Sequence, residues 1–456
     1  MEENNKSQLF SFLGKLSFKE IVPLGLQHVV AMIVGCVTPA IIVASTAGLD
    51  ARDKILLVQS SLVFSGLATL LQIFSIGRKI GARLPIIMGV SFAYVPTLTA
   101  IAGEFNIATI FGAQICGASV SIIFGIFSKK LIKFFPPIVT GTVICAIGLS
   151  LYSTAVKYMA GGVGNDGFGS PLNWLVAIIT LSVVIFLNFF SKGTLKLASI
   201  LFGILAGYII SFFLGMVSFT DVNTASWFQA PKFMHFGISF NATAIISMVV
   251  MHVVNSVQAI GDLSATTSGA MNRTATDKEI SGGIIGNGIS SMVGALFGCM
   301  PVATFSSNVG IVTMNKVINR SVFIFASAVI IVAGLVPKFS SILISIPQCV
   351  LGGATVTVFA TITMTGIKMI SSTKLTARGT TIAGLSIALG TGIVQVEGSL
   401  GLFPAWAISI FGKSSIIVTA LVAIILNLIL PKEDNNEVKV KIEKNDKEDI
   451  GVINKV

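Results

Sequence analysis

Charged residues are scarce in this sequence. Lys, Arg, Asp and Glu together make up 11% of its 456 residues, whereas soluble domains carry about 25%. Apolar residues make up 54%, and the mean hydropathy is +0.91. So little charge over so long a chain excludes a soluble globular protein and predicts a protein that crosses a membrane several times.

Residues for metal and redox chemistry are also few. The chain has five cysteines and three histidines. The cysteines all lie inside apolar runs without CxxC spacing, and no two histidines have a metal-ligand spacing, so they are typical of buried side chains. Gly-rich phosphate loops and the GxSxG and HExxH motifs are missing, which argues against ATP-driven transport and against an enzyme. We therefore predict no metal and no bound cofactor.

Fourteen apolar runs are separated by charged or Gly/Pro-containing breaks. A spanning helix takes roughly 20 residues, so fourteen take about 280 and leave no room for a separate soluble domain. A porin-type barrel is excluded because its strands would alternate apolar and polar residues. The predicted segments, of which the tenth is too short for a regular spanning helix, are 21–47, 54–76, 84–102, 107–127, 131–151, 172–190, 197–217, 242–266, 280–298, 300–314, 321–337, 345–367, 379–396 and 414–431.

The basic residues test this count independently. Loops after even-numbered segments hold 15 Lys and Arg, and loops after odd-numbered segments hold six. Because positive charge marks the cytoplasmic side, both termini are expected in the cytoplasm and the protein in the plasma (inner) membrane. The net charge of +11 therefore reflects topology, and no nucleic-acid partner is predicted.

An internal repeat is visible in the spacing of Pro and Gly. Pro136 and Gly141 are five residues apart, as are Pro347 and Gly352. The runs LPIIMGVSFA and MPVATFSSNVG, one in each half, both place a Ser six residues after their Pro. Seven segments per half make the second copy inverted, the arrangement of many secondary transporters. The alternative is a chance recurrence of Pro and Gly.

The third and tenth segments contain GVSFAYVPTLT and TFSSNVGIVT, which are rich in Ser, Thr, Val and Phe. We predict short extended pieces there rather than helices. Extended backbone at membrane depth must be covered by protein or by a ligand. A polar solute could therefore bind where the two pieces meet. The alternative is two ordinary Ser-rich helices packed through small residues.

Asp262 is the only acidic residue well inside a predicted segment. Intramembrane acids usually face a partner or a water path. Gln258 lies four residues earlier on the same helix face, and its amide suits the edge of a neutral heterocycle. In the alternative interpretation, Asp262 caps the turn formed by the following SATTSG. His28, in the first segment, could bind or could be a packing residue, and His252 is a weaker candidate.

Five motifs resemble those of the nucleobase:cation symporters, also called nucleobase–ascorbate transporters, which include bacterial uracil and xanthine/urate permeases. They are LGLQHVVAM, GVSFA, QAIGDLSAT, GNGISSMVGALFG and TFSSNVGIVTMNK. The resemblance implies an all-α polytopic fold of 14 transmembrane segments in a 7+7 inverted repeat, with short β-strands in segments 3 and 10. It also implies a homodimer in the lipid bilayer.

A core domain and a gate domain follow from the same resemblance. The implied divisions are a cytoplasmic tail at 1–20, core at 21–127, gate at 128–217, core at 242–320 and 321–337, gate at 338–431, and a charged cytoplasmic tail at 432–456. The implied substrate-binding residues are Ser91, Phe92, Gln258, Ser306, Ser307 and Asn308. The implied coupling residues are His28, Asp262 and Asn287.

Three positions depart from the family pattern. Gln258 stands where Glu is usual, Asn287 where Asp is usual, and Ser307 where Gln or Glu is usual. The Gly261–Asp262 pair is the purine-type version of its motif. The favoured function is import of a purine such as xanthine or urate by proton symport. The alternatives are a Na⁺-coupled or facilitative transporter of another small polar solute such as uracil, and a channel-like or binding-only relic.

Overall fold

The computed structural model describes residues 8–77, 79–165, 167–373 and 375–431. The predicted C-terminal tail at 432–456 and the first seven residues of the N-terminal tail lie outside the described residues. The chain is mainly helical, with two short strands. Its fourteen principal helices, α1–α14, each overlap one of the fourteen predicted segments.

The first half contains seven of these helices and one strand. They are α1 Phe18–Thr46, α2 Ala51–Phe74, β1 Met88–Val90, α3 Val95–Glu104, α4 Ile107–Ile126, α5 Pro137–Met159, α6 Pro171–Phe190 and α7 Ser199–Phe213. The second half repeats this order. It contains α8 Ala242–Met271, α9 Asp277–Leu296, β2 Val302–Thr304, α10 Ser306–Asn315, α11 Arg320–Gly334, α12 Gln348–Ser371, α13 Ala377–Gln395 and α14 Ser415–Ile429.

Not every helix is long and apolar enough to cross a membrane alone. Among the described residues eight helices meet that test, or nine if α11 and the short helix Pro337–Ile344, bent by 81° from it, form one span. Helices α3 and α10 have only ten residues each and follow a strand. Helices α7, α11 and α14 have fifteen residues each. Fourteen spans therefore stay a prediction.

Several predicted boundaries were wrong, among them the end of segment 5, since α5 continues to Met159 and not 151. Helix α5 begins at Pro137 and not at 131, because consecutive prolines cannot continue a preceding helix and Pro is favoured at a first turn. Helix α8 runs on to Met271, so SATTSG is helical, and Asp262 does not cap a turn there. The extended conformation predicted through GVSFAYVPTLT and TFSSNVGIVT is limited to strands that end at Val90 and Thr304, because the helical turns that follow satisfy their backbone groups internally.

The two strands pair with each other in the middle of the molecule. They are antiparallel, and Met88 lies opposite Thr304, Gly89 opposite Ala303, and Val90 opposite Val302. All of these residues are buried. The predicted strands in segments 3 and 10 are thus confirmed, each three residues long.

A hydroxyl group completes the hydrogen bonding at the start of each strand. Thr69 Oγ1, on α2, accepts from Met88 N at 2.9 Å, and Ser291 Oγ, on α9, accepts from Val302 N at 3.2 Å. Each hydroxyl also lies 3.4 Å from the carbonyl oxygen of the same strand residue. A strand this short has few ladder partners, so these side chains satisfy backbone groups that would otherwise be unpaired.

Close approach through glycine holds the largest helix pair together. Helices α5 and α12 pack along most of their length. A Cβ atom added at Gly148 would overlap Thr363, and one added at Gly366 would overlap Cys145. Small residues allow helix backbones to approach where apolar burial gives little driving force, as in a membrane.

Candidate functional site

The two strands both end close to helix α8. After β2 the chain continues through Phe305 and enters α10 at Ser306. Helix α8 packs beside both β2 and α10. The ring of Phe305 occupies the space left by two glycines, since a Cβ atom at Gly89 or Gly35 would come within 3 Å of it. Close packing there fixes the direction in which α10 starts.

Asp262 lies at this crossing and is almost fully buried. Its carboxylate accepts hydrogen bonds from Thr304 Oγ1, at 2.5 Å, and from Ser306 Oγ, at 2.9 Å to Oδ1 and 3.0 Å to Oδ2. Buried acids require such donors, because an unpaired carboxylate in a medium of low dielectric constant is very unfavourable. The predicted intramembrane acid therefore has two hydroxyl partners, both from the β2–α10 junction.

Gln258 joins the same cluster from one turn earlier on α8. Its Nε2 donates to Ser306 Oγ at 3.5 Å. Ser306 thus accepts from the amide and donates to the carboxylate, which links Gln258 to Asp262. Sequence spacing placed these two residues on one helix face, and the structure brings both to Ser306.

A second group of predicted residues lies at the same end of α10. Asn308 Nδ2 lies 3.1 Å from His28 Nδ1 and donates to the His28 carbonyl oxygen at 3.1 Å. Ser307 Oγ donates to Asn308 Oδ1 at 3.3 Å. His28 is 2% exposed and packs against the Phe323 ring at 4.8 Å between ring centroids. It therefore joins α1 to α10.

Phe92 and Ser91 follow β1 as Ser306 and Phe305 follow β2. Ser91 Oγ accepts from Ala93 N at 3.2 Å and so caps the short turn that leads into α3. The buried Phe92 ring meets the Phe359 ring of α12 edge to face, 5.2 Å between centroids. Phe92 is thus covered by α12 in this conformation.

Asn287 is not brought into either group by any hydrogen bond. It is 1% exposed, and within the part of the chain that the structure describes neither polar atom of its amide has a hydrogen-bond partner. Its predicted role in coupling has no contact to support it.

Two residues that sequence reasoning did not single out belong to the region. Thr304 bonds Asp262, and its position within TFSSN was the only available signal. Tyr94 OH lies 3.2 Å from His252 Nδ1, joining α3 to α8. Because Tyr94 and Asn308 are each the fourth residue after a strand, this contact is the counterpart of the His28–Asn308 pair in the other half.

The site is open along one side. Ser306, Ser307 and Gly310 are exposed on α10, and so are Ala265 and Ser268 on α8. The two helices meet again where a Cβ atom at Gly269 would touch Thr313. Exposed residues therefore lie on the facing sides of α8 and α10, between Gln258 and the C-terminal ends of these helices.

Comparison with protein families identifies this arrangement. The model described as Permease family matches residues 19–398. The chain belongs to this permease family. It is a membrane transport protein and not an enzyme.

Curated relatives cover nearly the whole permease. A uric acid permease of Bacillus subtilis is 36% identical over 93% of this chain and 95% of its own. The xanthine permease of the same species is 34% identical over 90% and 94%. A uric acid transporter of Escherichia coli is 31% identical over 95% and 90%. These names support nucleobase transport as the class of activity.

Solved structures share the fold at low identity. The transmembrane domain of a cyanobacterial bicarbonate transporter aligns with a TM-score of 0.57 at 17% identity, covering 92% of the permease and all of that chain. The anion transporter SLC26A9 aligns with a TM-score of 0.61 at 12% identity, covering 94% and 69%. At this identity the likeness concerns the fold alone.

Proposed function

We propose that this permease is a secondary active transporter that imports a purine base, xanthine or urate, together with a proton. The observation that carries the proposal is the hydrogen-bonded cluster of Gln258, Ser306 and Asp262, placed where two strands end and open to one side. The names of the relatives, which are uric acid and xanthine permeases, give the substrate class.

In this proposal the substrate lies between the ends of β1 and β2. The heterocyclic edge of a purine alternates N–H and C=O groups, which the Gln258 amide can pair with. Ser307 and Asn308 offer further polar atoms at the start of α10, and the Phe92 ring with the Ser91 turn forms the opposite wall. Helix α10 also directs its N-terminus towards the substrate, where a partial positive charge favours the purine carbonyl oxygens.

Fourteen spans in a 7+7 inverted repeat are part of the proposal. The helix contacts support it, because a contact between two helices recurs between the two helices that lie seven positions away from them in chain order. Helix α2 packs against α11 as α9 packs against α4, and α1 against α11 as α8 against α4. Likewise α6 pairs with α7 as α13 pairs with α14, and α6 with α12 as α13 with α5. The matched hydroxyl contacts of Thr69 and Ser291 agree with this repeat.

We assign α1–α4 and α8–α11 to a core domain and the other helices to a gate domain. The exposed residues of α8 and α10 lie between Gln258 and the ends of these helices that precede the basic loops. With both termini in the cytoplasm of a cell-membrane protein, this conformation is open to the cytoplasm. A homodimer stays a prediction.

Coupling is assigned to Asp262. It is the acid in contact with the proposed substrate site. Thr304 and Ser306 can donate to its ionised carboxylate, and a hydroxyl group can also rotate and accept a hydrogen bond from the protonated carboxyl group. His28 links α1 to α10 through Asn308 and would hold the site in shape. Asn287 has no ionisable group, so any coupling role for it would act through structure.

Uptake measurements test the proposal. Cells that lack their own base transporters would express the permease and receive radiolabelled xanthine, urate or uracil, with and without a protonophore. We expect xanthine or urate to accumulate, Ser306→Ala to abolish most uptake, and the protonophore to stop accumulation. Ser386→Ala is the matched control, since this serine on α13 donates to a carbonyl group of its own helix, outside the cluster.

Other results would redirect the proposal. Accumulation that needs Na⁺ and resists the protonophore would favour sodium coupling. Uptake that only equilibrates would favour facilitated transport. Equal uptake by Ser306→Ala and the wild type would remove the cluster from the substrate site.

A further inference from the structure

The segment before α1 is bound to the protein by its backbone. Residues 8–17, here called the N-terminal strap, lie across the loop between α10 and α11. Asn319, fully buried in that loop, directs its Nδ2 at three strap carbonyl oxygens, those of Gln8 at 3.1 Å, Ser11 at 3.2 Å and Gly14 at 2.8 Å.

Two loop N–H groups add to this attachment. Ile318 N donates to Leu9 O at 3.2 Å, and Arg320 N donates to Phe12 O at 3.1 Å. At Gly14 a Cβ atom would lie 2.9 Å from Asn319 Nδ2, so a larger residue would disturb the attachment. A segment held at this many points has a defined orientation.

The strap has two apolar sides. Leu9, Phe12 and Leu16 pack against the hydrophobic core. Phe10 and Leu13 face away from the core and are 52% and 62% exposed. Within the described residues nothing covers this outer side. The strap leads directly into α1, a spanning helix, so its outer side lies at the level of the membrane surface.

Positive charges surround the exposed apolar residues. Lys15 and Lys19 are exposed, and Lys316 and Arg320 flank the loop to which the strap is bound. Among the described residues none of these four forms a salt bridge. An exposed apolar side combined with unpaired cations, at the end of a spanning helix, has the chemistry of a segment lying in the lipid interface.

We propose that the N-terminal strap is an interfacial anchor that binds anionic phospholipid headgroups, with Phe10 and Leu13 inserted among the acyl chains. The cytoplasmic orientation proposed above determines only which leaflet the strap would contact, namely the cytoplasmic one. The chemistry requires a bilayer with negative headgroups at the surface where α1 begins, and it does not depend on which solute is transported.

Nanodiscs expose both bilayer surfaces, so they test lipid binding regardless of orientation. The full-length permease would be placed in phosphatidylcholine alone or in a one-to-one mixture with phosphatidylglycerol. Hydrogen–deuterium exchange of the strap amides would be measured in each. We expect slower exchange in the anionic discs, and we expect Lys15→Gln/Lys19→Gln to lose that difference.

A competition experiment gives the magnitude. Short-chain phosphatidylglycerol would be titrated onto detergent-purified protein, with inorganic phosphate and short-chain phosphatidylcholine in parallel. Each lysine removed should weaken phosphatidylglycerol binding about fivefold, the usual effect of one surface cation near anionic lipid. The matched control, Lys157→Gln/Lys232→Gln, removes two exposed lysines assigned to the opposite membrane surface and should bind phosphatidylglycerol like the wild type.

Several outcomes would overturn the proposal. These are equal strap exchange in both discs, equal effects of the two lysine pairs, and a response to phosphate as strong as the response to phosphatidylglycerol. Insertion has its own test, in which Phe10→Trp fluorescence, corrected for the wild-type signal, should be quenched by lipid brominated on its acyl chains. Absence of that quenching would rule out insertion of Phe10. Purine uptake measured on the same variants shows separately whether the proposed transport function holds.

Discussion

The starts of α3 and α10 have the same local plan but opposite surroundings. Each follows a three-residue strand, each strand begins under a hydroxyl group from a neighbouring helix, and each helix has ten residues. Phe92 and Ala93, the second and third residues after β1, are buried. Ser306 and Ser307, at the start of α10, are exposed.

Helices α1 and α8, which pack beside the starts of α3 and α10, differ in burial in the same way. On α1 every residue from Cys36 to Ala44 is buried. On α8 exposed residues appear between Gly261 and Gly269. The α3 side is closed by contacts with the proposed gate domain, among them the Phe92–Phe359 ring contact and the ion pair of Glu104 with Lys413 at 2.9 Å.

This difference is informative because local sequence cannot produce it. Two similar strand–helix junctions are open or closed according to what the proposed gate domain covers. In alternating access, moving one domain against the other would cover the α10 side and open the α3 side. From this comparison we expect residues on the open α10 side to affect substrate binding, and contacts on the α3 side to hold the proposed core and gate domains together.

The largest expected effect is that of Asp262→Asn on the open side. The amide cannot take up and release a proton, so accumulation against a gradient should be lost while exchange of bound purine persists. Both would be measured in proteoliposomes with an imposed proton gradient. The control is Asp277→Asn, which removes an exposed acid paired with Lys129 and should accumulate purine normally. Proton-driven accumulation by Asp262→Asn would show that another group couples transport.

Ser306→Ala and Ser307→Ala sharpen the comparison within the open side. Removing the Ser306 hydroxyl leaves the Asp262 carboxylate with one hydroxyl partner fewer and breaks the contact of Gln258 with Ser306. The loss should be about 1.5–3 kcal/mol, or about tenfold to 150-fold in apparent purine affinity. Ser307 bonds only Asn308, so Ser307→Ala should change affinity by less than about tenfold. Binding would be measured by titration calorimetry on purified protein. The reverse order of effects would contradict the proposed geometry.

On the closed side, Tyr94→Phe should affect stability more than transport. It removes the hydroxyl that contacts His252 and should lower the free energy of unfolding by about 1 kcal/mol. Its counterpart on the open side, Asn308→Ala, removes two contacts to His28 and should reduce both stability and uptake. Thermal unfolding in detergent and uptake in cells give the two measurements. If Tyr94→Phe reduced uptake as much as Asn308→Ala, the proposed functional difference between the α3 side and the α10 side would be wrong.

The smallest effect is expected at the ion pair. Partly exposed pairs contribute about 0.2–1 kcal/mol, so Lys413→Glu should shift the balance between open states by at most about fivefold. A cysteine placed at Ser91 should then react faster with a membrane-impermeant thiol reagent added outside. The swapped pair Glu104→Lys/Lys413→Glu should restore the slow reaction. The same variants with Ser91 intact correct for native cysteines. An unchanged rate in Lys413→Glu would remove the pair from closure.

Much of the site was accessible from the sequence because its residues are unusual where they stand. An acid inside an apolar run is costly unless it has partners, so Asp262 was conspicuous, and helix periodicity added Gln258. Pro and β-branched residues indicated both strands to within a few residues. The end of α8 was misjudged because Ser, Thr and Gly near a membrane surface suit a turn and a helix equally well.

The contacts that complete the site join distant parts of the chain. Thr304 lies 42 residues from Asp262, and Asn308 lies 280 residues from His28. Tyr94 and His252 are 158 residues apart, and Glu104 and Lys413 are 309 apart. No spacing rule predicts such pairs, because they depend on how whole helices pack.

The sequence by itself determined that the chain enters a membrane, approximately where its principal helices and two strands lie, and which acid is buried among them. These follow from the preference of each short segment for lipid, water or a backbone conformation, which is a local property. Only the tertiary structure decided that Ser306 links Gln258 to Asp262, that the strap is bound by Asn319, and that one of two similar junctions is open. The physical reason is that a hydrogen bond between distant residues, or the covering of one surface by another, depends on the packing of the two halves together.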